Sequence, residues 1–431
     1  MERLTLWLYR VLMAVLLPLA VPVLALRDRL SGKKRPMWSE RFLRPMPDLP
    51  SGGIWIQAVS VGEVEVARRL LGELADFDLP VIVSATTATG LALARKTLGD
   101  RAVVTPCPVD LPVPVKRFLD TAKPRALVLV ETELWPEMLH QAGRRGIPVA
   151  VVNARLSERS FVRYRRVRVL LKSLLAPLAL VLARDESDAR KFIDLGVNED
   201  CVRVGGNVKY DLLRDERPLS WAEGLSRWAG DRPIVVAGST MEGEEEIVLN
   251  SLNHYAAGAR RPFLILAPRH PERFTEVASL LESRGLKTVR RSRWEESSES
   301  SADVFLLDTI GELARSYRYG AVAFIGGSLV STGGHNPLEA ALWGVPVLTG
   351  PHVHNFAEIY REMTAAGAAR VVADDQEFGV VLGDWLGSPE KAHRAGKAGF
   401  EVIEQNRGAA ARTATALMEF LKRGNQSSES A

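Results

Sequence analysis

Short unbroken apolar runs alternate along this chain with stretches whose apolar residues recur every three or four positions. In the first half the runs fall at residues 54–59, 81–85, 102–105, 126–130 and 148–152. After the first, Val66, Leu70, Leu71 and Leu74 mark one face of a helix. Strands apolar at every position are covered on both faces, so this alternation predicts an α/β, doubly wound parallel sheet. Ligands of such sheets sit beyond the C-terminal ends of the strands. A second series occupies residues 234–237, 263–267, 304–307, 321–325 and 345–348. Residues 211–232, charged and containing tryptophan, interrupt the pattern and read as the link. The expected organisation is a first domain over 31–215 and a second over 216–425, facing each other across a cleft, with the last helical stretch able to pack back on the first. That stretch should run from about residue 390 to 422, with a disordered polar end at 425–431 and a mobile surface loop at 295–301.

The N-terminus breaks the pattern. Residues 4–26 carry a single charge, Arg10, and are followed by Arg27, Arg29, Lys33, Lys34 and Arg35. The run is long enough to cross a bilayer, and the basic cluster would keep the rest of the chain in the cytoplasm. Pro18, Pro22 and Arg10 suit a helix lying in the interface, with Arg10 among the headgroups. Residues 1–30 are therefore expected to anchor the chain to a membrane, by either geometry.

Composition adds limits. Across 431 residues, 56 Lys and Arg oppose 52 Asp and Glu, and a net charge of +4 gives no argument for nucleic acid as a partner. The two cysteines, Cys107 and Cys201, form no disulfide framework and fit a reducing compartment. His335, His352 and His354 have no acidic or cysteine partner at ligand spacing, so neither a metal nor a cofactor is expected. Hydrolase elbows, Walker loops and complete dinucleotide fingerprints are missing, which disfavours hydrolases and dehydrogenases.

Candidate chemistry collects where strands end. The glycine-rich loop Gly326-Gly-Ser-Leu-Val-Ser-Thr-Gly-Gly334-His335-Asn336-Pro337-Leu338-Glu339 joins an apolar run to a helix start and reads as a cradle for an anionic group, with Glu339 placed for ribose hydroxyls. Glu63 comes after the first strand, as a helix-capping residue or a general base. Glu131 comes after the fourth, where burial is costly unless the carboxylate is paired or in use. Arg155, in Asn153-Ala-Arg-Leu-Ser157, is a candidate anion clamp. Lys209, in Gly205-Gly-Asn-Val-Lys209, could neutralise a phosphate or carboxylate, and Arg269 could fork onto a phosphate or base. Arg163, Arg165, Arg166, Arg168 and Lys172 form either a solvated face or a contact for anionic lipid.

Taken together, Val59-Ser-Val-Gly-Glu63, Glu131-Thr-Glu-Leu-Trp-Pro136, Asn153-Ala-Arg-Leu-Ser157, Gly206-Asn-Val-Lys209, Ala267-Pro-Arg-His-Pro271 and the loop ending at Glu339 resemble the 3-deoxy-D-manno-octulosonic acid (Kdo) transferase family. The resemblance implies the GT-B fold and inverting, metal-independent transfer of Kdo from CMP-Kdo to the lipid A precursor, lipid IVA, at the cytoplasmic face of the bacterial inner membrane. It implies Glu63 as the general base and Glu131 with Lys209 as the transition-state-stabilising pair. It assigns Pro268, Arg269, Ile310, Gly311, Glu312, Asn336, Pro337, Leu338 and Glu339 to CMP. Pro337 and Ser331-Thr332 depart from the family's usual residues, and leave Asn336 and Glu339 in place. A UDP-sugar enzyme of the same fold and a non-catalytic, membrane-tethered nucleotide-binding protein are the alternatives.

Overall fold

The computed structural model describes residues 2–30, 38–74, 78–132, 134–256, 261–296 and 301–429. Lys33, Lys34 and Arg35, Glu133, and residues 297–300 of the expected mobile loop lie outside them. The described chain forms two compact units, Met1–Asp211 with Arg407–Ala431, and Leu212–Asn406.

In the first unit, β1 (Ile54–Gln57), β2 (Val81–Ala85), β3 (Val103–Pro106), β4 (Ala126–Val130), β5 (Val149–Ala154), β6 (Leu178–Ala183) and β7 (Val202–Val204) form a sheet in the order β3-β2-β1-β4-β5-β6-β7. Every pairing is parallel. Alternate residues feed two cores. Ile54, Ile56, Val128 and Val130 face helix Val61–Glu73 and the last helix, whereas Trp55, Leu127 and Leu129 face the opposite layer. There the Trp55 ring lies 4.1 Å from that of Phe118, centroid to centroid.

In the second unit, β8 (Ile234–Thr240), β9 (Phe263–Pro268), β10 (Thr288–Arg290), β11 (Val304–Leu306), β12 (Val322–Ile325), β13 (Val347–Thr349) and β14 (Ala369–Val371) are ordered β10-β11-β9-β8-β12-β13-β14, again all parallel. Both sheets therefore reverse their winding beside the first strand of the unit, at β1/β4 and at β8/β12. A crevice opens at such a point beyond the strand ends.

Four sequence expectations need correcting. Residues 212–232 are packed into the second unit and are no free link: Trp221 and Trp228 are fully buried, their rings 4.5 and 5.3 Å from that of Phe305. Burial of such large apolar rings outweighs the local charge. The C-terminal helix is two helices, Pro389–Asn406 and Ala409–Glu429, broken at Gly408 (φ +84°). Asp211 caps the second, its carboxylate accepting from the N–H groups of Gly408 at 2.6 Å and Ala410 at 2.5 Å. This helix continues to Glu429, through most of the segment expected to be disordered. Arg10 of the N-terminal helix Glu2–Leu30 is drawn to a protein carboxylate, Glu137, at 2.8 Å.

Candidate active site

Glu63 sits in the first turn of helix Val61–Glu73, directly after β1, and is almost wholly buried. Its carboxylate reaches back to accept from the Val59 N–H at 2.6 Å and the Ser60 hydroxyl at 3.0 Å. This resembles a capping box, in which a Glu three positions after Ser closes the helix start. The same bonds lock the carboxylate at the β1/β4 winding reversal, where ligands of such sheets bind. Capping and base roles are thus compatible in one residue.

Glu131, at the end of β4, adopts a left-handed backbone (φ +61°), as does Asn153 (φ +52°) near the end of β5. Non-glycine residues hold that conformation only where their surroundings over-determine it. At Glu131 the constraint is ionic: one oxygen accepts from Lys209 Nζ at 2.8 Å and from Arg184 Nη2 at 2.8 Å. The lysine is delivered by a gripped turn. Asn153 Oδ1 accepts from the Val208 N–H, Asn207 Oδ1 from the Lys209 N–H, and Arg69 donates to the carbonyls of Val208 and Lys209. Burial works to raise the Glu131 carboxyl, but the positive charges of Arg184, Lys209 and Arg155 outweigh it and hold the group below its ordinary value. Burial pushes the Lys209 ammonium down, Arg184 and Arg155 add to this, and Glu131 opposes them. Three cations thus act on the one Glu131 carboxylate at this strand edge.

In the second unit the glycine-rich loop does bind an anion, but it is the chain's own. The fully buried carboxylate of Glu244, opening helix Glu244–Ala256, accepts from the N–H groups of Gly327 at 2.6 Å, Ser328 and Leu329 at 2.8 Å, and Met241 at 2.9 Å. A Cβ on Gly326 would stand 2.5 Å from the Ser239 carbonyl and 2.8 Å from Glu244, so only glycine lets the loop close this far. The N–H groups of Gly334 and His335 then turn inward to the carbonyls of Gly327 and Gly326. Residues 326–329 are therefore a brace for the second half of the loop, and the backbone cradle read from the sequence is already filled.

That second half carries the residues expected at the nucleotide. Asn336 Oδ1 accepts from the Leu338 N–H at 3.2 Å and starts the short helix Leu338–Ala341, with Pro337 before it and Glu339 in its first turn. His335 is held neutral: burial, reinforced by Arg269 and His270, pushes its pKa down to about 4. Pro268 ends β9, and the exposed Arg269 is tied by its N–H to the Thr240 carbonyl at 2.9 Å. After β11, Ile310 is exposed, Gly311 takes φ +100°, and Glu312 accepts from Arg291 at 2.8 Å and Thr309 at 2.6 Å. All three segments lie at C-terminal strand ends of one parallel sheet, and His335 and Arg269 are electrostatic neighbours. Arg163, Arg165, Arg166 and Arg168 are exposed on helices Glu158–Arg166 and Arg168–Leu175, outside these strand ends. Among the described residues no group of His, Cys, Asp and Glu side chains is placed to hold a metal ion.

Residues 36–212 match the protein family described as 3-deoxy-D-manno-octulosonic-acid transferase (kdotransferase). A 3-deoxy-D-manno-octulosonic acid transferase of Haemophilus influenzae is 37% identical over 423 residues, which cover 96% of this chain and 98% of that one. The chain belongs to the Kdo transferase family. A second Kdo transferase, from Bordetella pertussis, is 35% identical over 382 residues, 85% of this chain and 87% of the other. Among solved structures, UDP-GlcNAc 2-epimerase from Neisseria meningitidis bound to UDP-GlcNAc superposes with a TM-score of 0.56 at 14% identity, covering 86% of this chain and all of that one. This likeness concerns the fold alone, which is α/β with two Rossmann-like sheets, the GT-B class.

Two residues of this Kdo transferase escape a motif-by-motif reading. Arg184 stands directly after β6, the same strand-end position that singles out Glu131 and Lys209, but the leucine-rich approach to β6 reads as a continuation of the preceding helix. Glu244 lies in the acidic run Glu242-Gly-Glu-Glu-Glu246, where nothing local separates it from its solvated neighbours.

Proposed function

We propose that this Kdo transferase moves Kdo from CMP-Kdo to lipid IVA at the cytoplasmic face of the bacterial inner membrane, with inversion at the anomeric carbon. The acceptor hydroxyl attacks that carbon as its bond to the CMP phosphate oxygen breaks. Glu63 takes the hydroxyl proton, and CMP departs with the bonding pair. A carboxylate fixed at the helix start by the Val59 N–H and the Ser60 hydroxyl needs no rearrangement to do this. Lys209 and Arg184, held on Glu131, supply fixed positive charge for the anionic groups that gather as the bond opens, which include the sugar's own carboxylate. Asn336, Glu339, Arg269 and residues 310–312 hold the cytidylate, and the neutral His335 can donate or accept a hydrogen bond without adding charge.

The observation that carries this reading is the Glu131–Lys209–Arg184 cluster on the same sheet edge as Glu63, in a chain alike to named Kdo transferases from end to end. Incubation with CMP-Kdo and lipid IVA, followed by mass spectrometry of the lipid, tests it: the lipid should gain Kdo and CMP should be released. CMP binding without any change in the lipid would reject transfer to this acceptor.

A further inference from the structure

The N-terminal helix Glu2–Leu30 is fastened sideways to the first unit. Arg10 meets Glu137 with both ends of its fork, Nε at 2.8 Å and Nη2 at 2.9 Å, and the Tyr9 hydroxyl donates to Asp110 at 2.7 Å. Both acids are fully buried and tied to helix Pro136–Arg144: Asp110 accepts from the N–H groups of Glu137 and Met138, and Glu137 accepts from Gln141. A buried carboxylate deprived of its cation is strongly unfavourable, so this is a clamp and no incidental surface bridge.

The clamp divides the helix into two faces. Tyr9, Arg10, Met13, Leu17 and Ala20 are half-buried, on the side that packs against helices Pro136–Arg144 and Arg168–Leu175. Trp7, Val11, Val15, Leu19 and Val23 project outward and are between 42% and 67% exposed. From residue 6 to residue 20 the covered side extends roughly 20 Å at 1.5 Å per residue. A crossing helix must be bathed in lipid over about 30 Å. Here one side is occupied by an α/β unit whose loops and sheet edges cannot enter hydrocarbon. Beside the helix, Arg163, Arg165, Arg166, Arg168 and Lys172 are exposed, with Val162, Val167 and Val169 exposed among them. Cations interleaved with small apolar side chains match the headgroup region of an anionic leaflet.

We propose that the N-terminal helix is an in-plane anchor: clamped by Arg10–Glu137 and Tyr9–Asp110, it submerges one apolar face in an anionic leaflet and does not cross it. This rests on the membrane part of the function proposed above and is independent of transfer. The test uses the full chain carrying Glu2→Cys in a Cys201→Ser background, Cys107 being buried, with Glu199→Cys as the marker for the first unit. A membrane-impermeant maleimide should label both positions in inverted membrane vesicles and neither in intact spheroplasts. Labelling of Glu2→Cys from the spheroplast exterior would establish a crossing helix and overturn the proposal. Recovery of the protein in the soluble fraction would instead reject the membrane reading on which it rests. The clamp has its own readout: Arg10→Gln and Glu137→Gln should each lower the thermal unfolding midpoint, and the double variant should lie no lower than the worse single. Fully additive losses would show the two residues uncoupled and remove the clamp.

Discussion

Glu131 and Lys209 pair at 2.8 Å, and each partner's charge opposes the cost of burying the other. Burial works to raise Glu131, but its cationic neighbours outweigh it and hold the group below its ordinary value, and burial pushes Lys209 down, so the alkaline loss of activity should begin earlier than for an ordinary lysine. Changing the neighbours should move that limb in opposite directions. Arg184→Gln removes a positive charge, so Lys209 titrates higher and the limb moves to higher pH. Glu131→Gln removes the negative charge, so Lys209 titrates lower and the limb moves down. A kcat/KM profile of each variant reads this directly, and displacement of both in one direction would exclude Lys209 as the titrating group. Glu63→Gln keeps the shape of the helix start and removes the proposed base; transfer should fall about 10²- to 10⁴-fold while CMP binding is retained. Near-normal turnover in that variant would rule out Glu63 as the proton acceptor. For Glu244→Gln, weakening the charge-assisted bonds to the glycine loop should cost about 1.5–3 kcal/mol. Because the loop positions Asn336 and Glu339, calorimetric CMP affinity should drop; an unchanged affinity would reduce Glu244 to a purely local brace.

Among the elements, the candidate site residues stand at strand ends, and the proposed membrane contacts are on helices. Each sheet places its central strands so that a loop with a polar signature comes after every one of them, and runs such as 126–130 and 148–152 lead to the polar residues Glu131 and Asn153 at their ends. The strands that the hydrophobic pattern misses are β6, whose leucine-rich approach reads as a continuing helix, and the short edges β7, β10 and β14, which have three residues each and include partly exposed positions. An edge strand buries too little to leave a continuous apolar run. The basic helices Glu158–Arg166 and Arg168–Leu175 give a prediction at this scale. Replacing Arg165, Arg166 and Arg168 with Ser should weaken cosedimentation with vesicles containing phosphatidylglycerol and leave the weaker binding to purely zwitterionic vesicles unchanged, as expected for about 1 kcal/mol per surface cation. Equal binding to both vesicle types before and after substitution would make these arginines a solvated face.

For the whole molecule, the proposed CMP-sugar donor would distinguish this protein from UDP-sugar enzymes that share its fold. Ligand bound only by the native state stabilises it by about 2.7 kcal/mol at a hundredfold excess over Kd. CMP should therefore raise the thermal midpoint clearly and UDP at equal concentration should not; the reverse order would favour a uridine donor. The architecture itself was largely legible from the sequence, because burial of a parallel strand on both faces is written locally in unbroken apolar runs, and a strand-to-helix turn is written in its Gly, Ser and Asn residues. The charged segment 212–232 misled because its hydrophilic residues are contiguous, whereas the burial of Trp221 and Trp228 depends on Phe305, far along the chain. The sequence alone thus determined the α/β alternation and ten of the fourteen described strands, the polar residues at their ends, and the motifs of the family. Only tertiary structure decided which ions meet. Glu244 fills the glycine loop from 83 positions away, Arg184 joins Glu131 from 53, and Glu137 captures Arg10 from 127. Such pairings are set by which strands and helices become neighbours, and a charged residue carries no local mark of the partner that will outbid water for it.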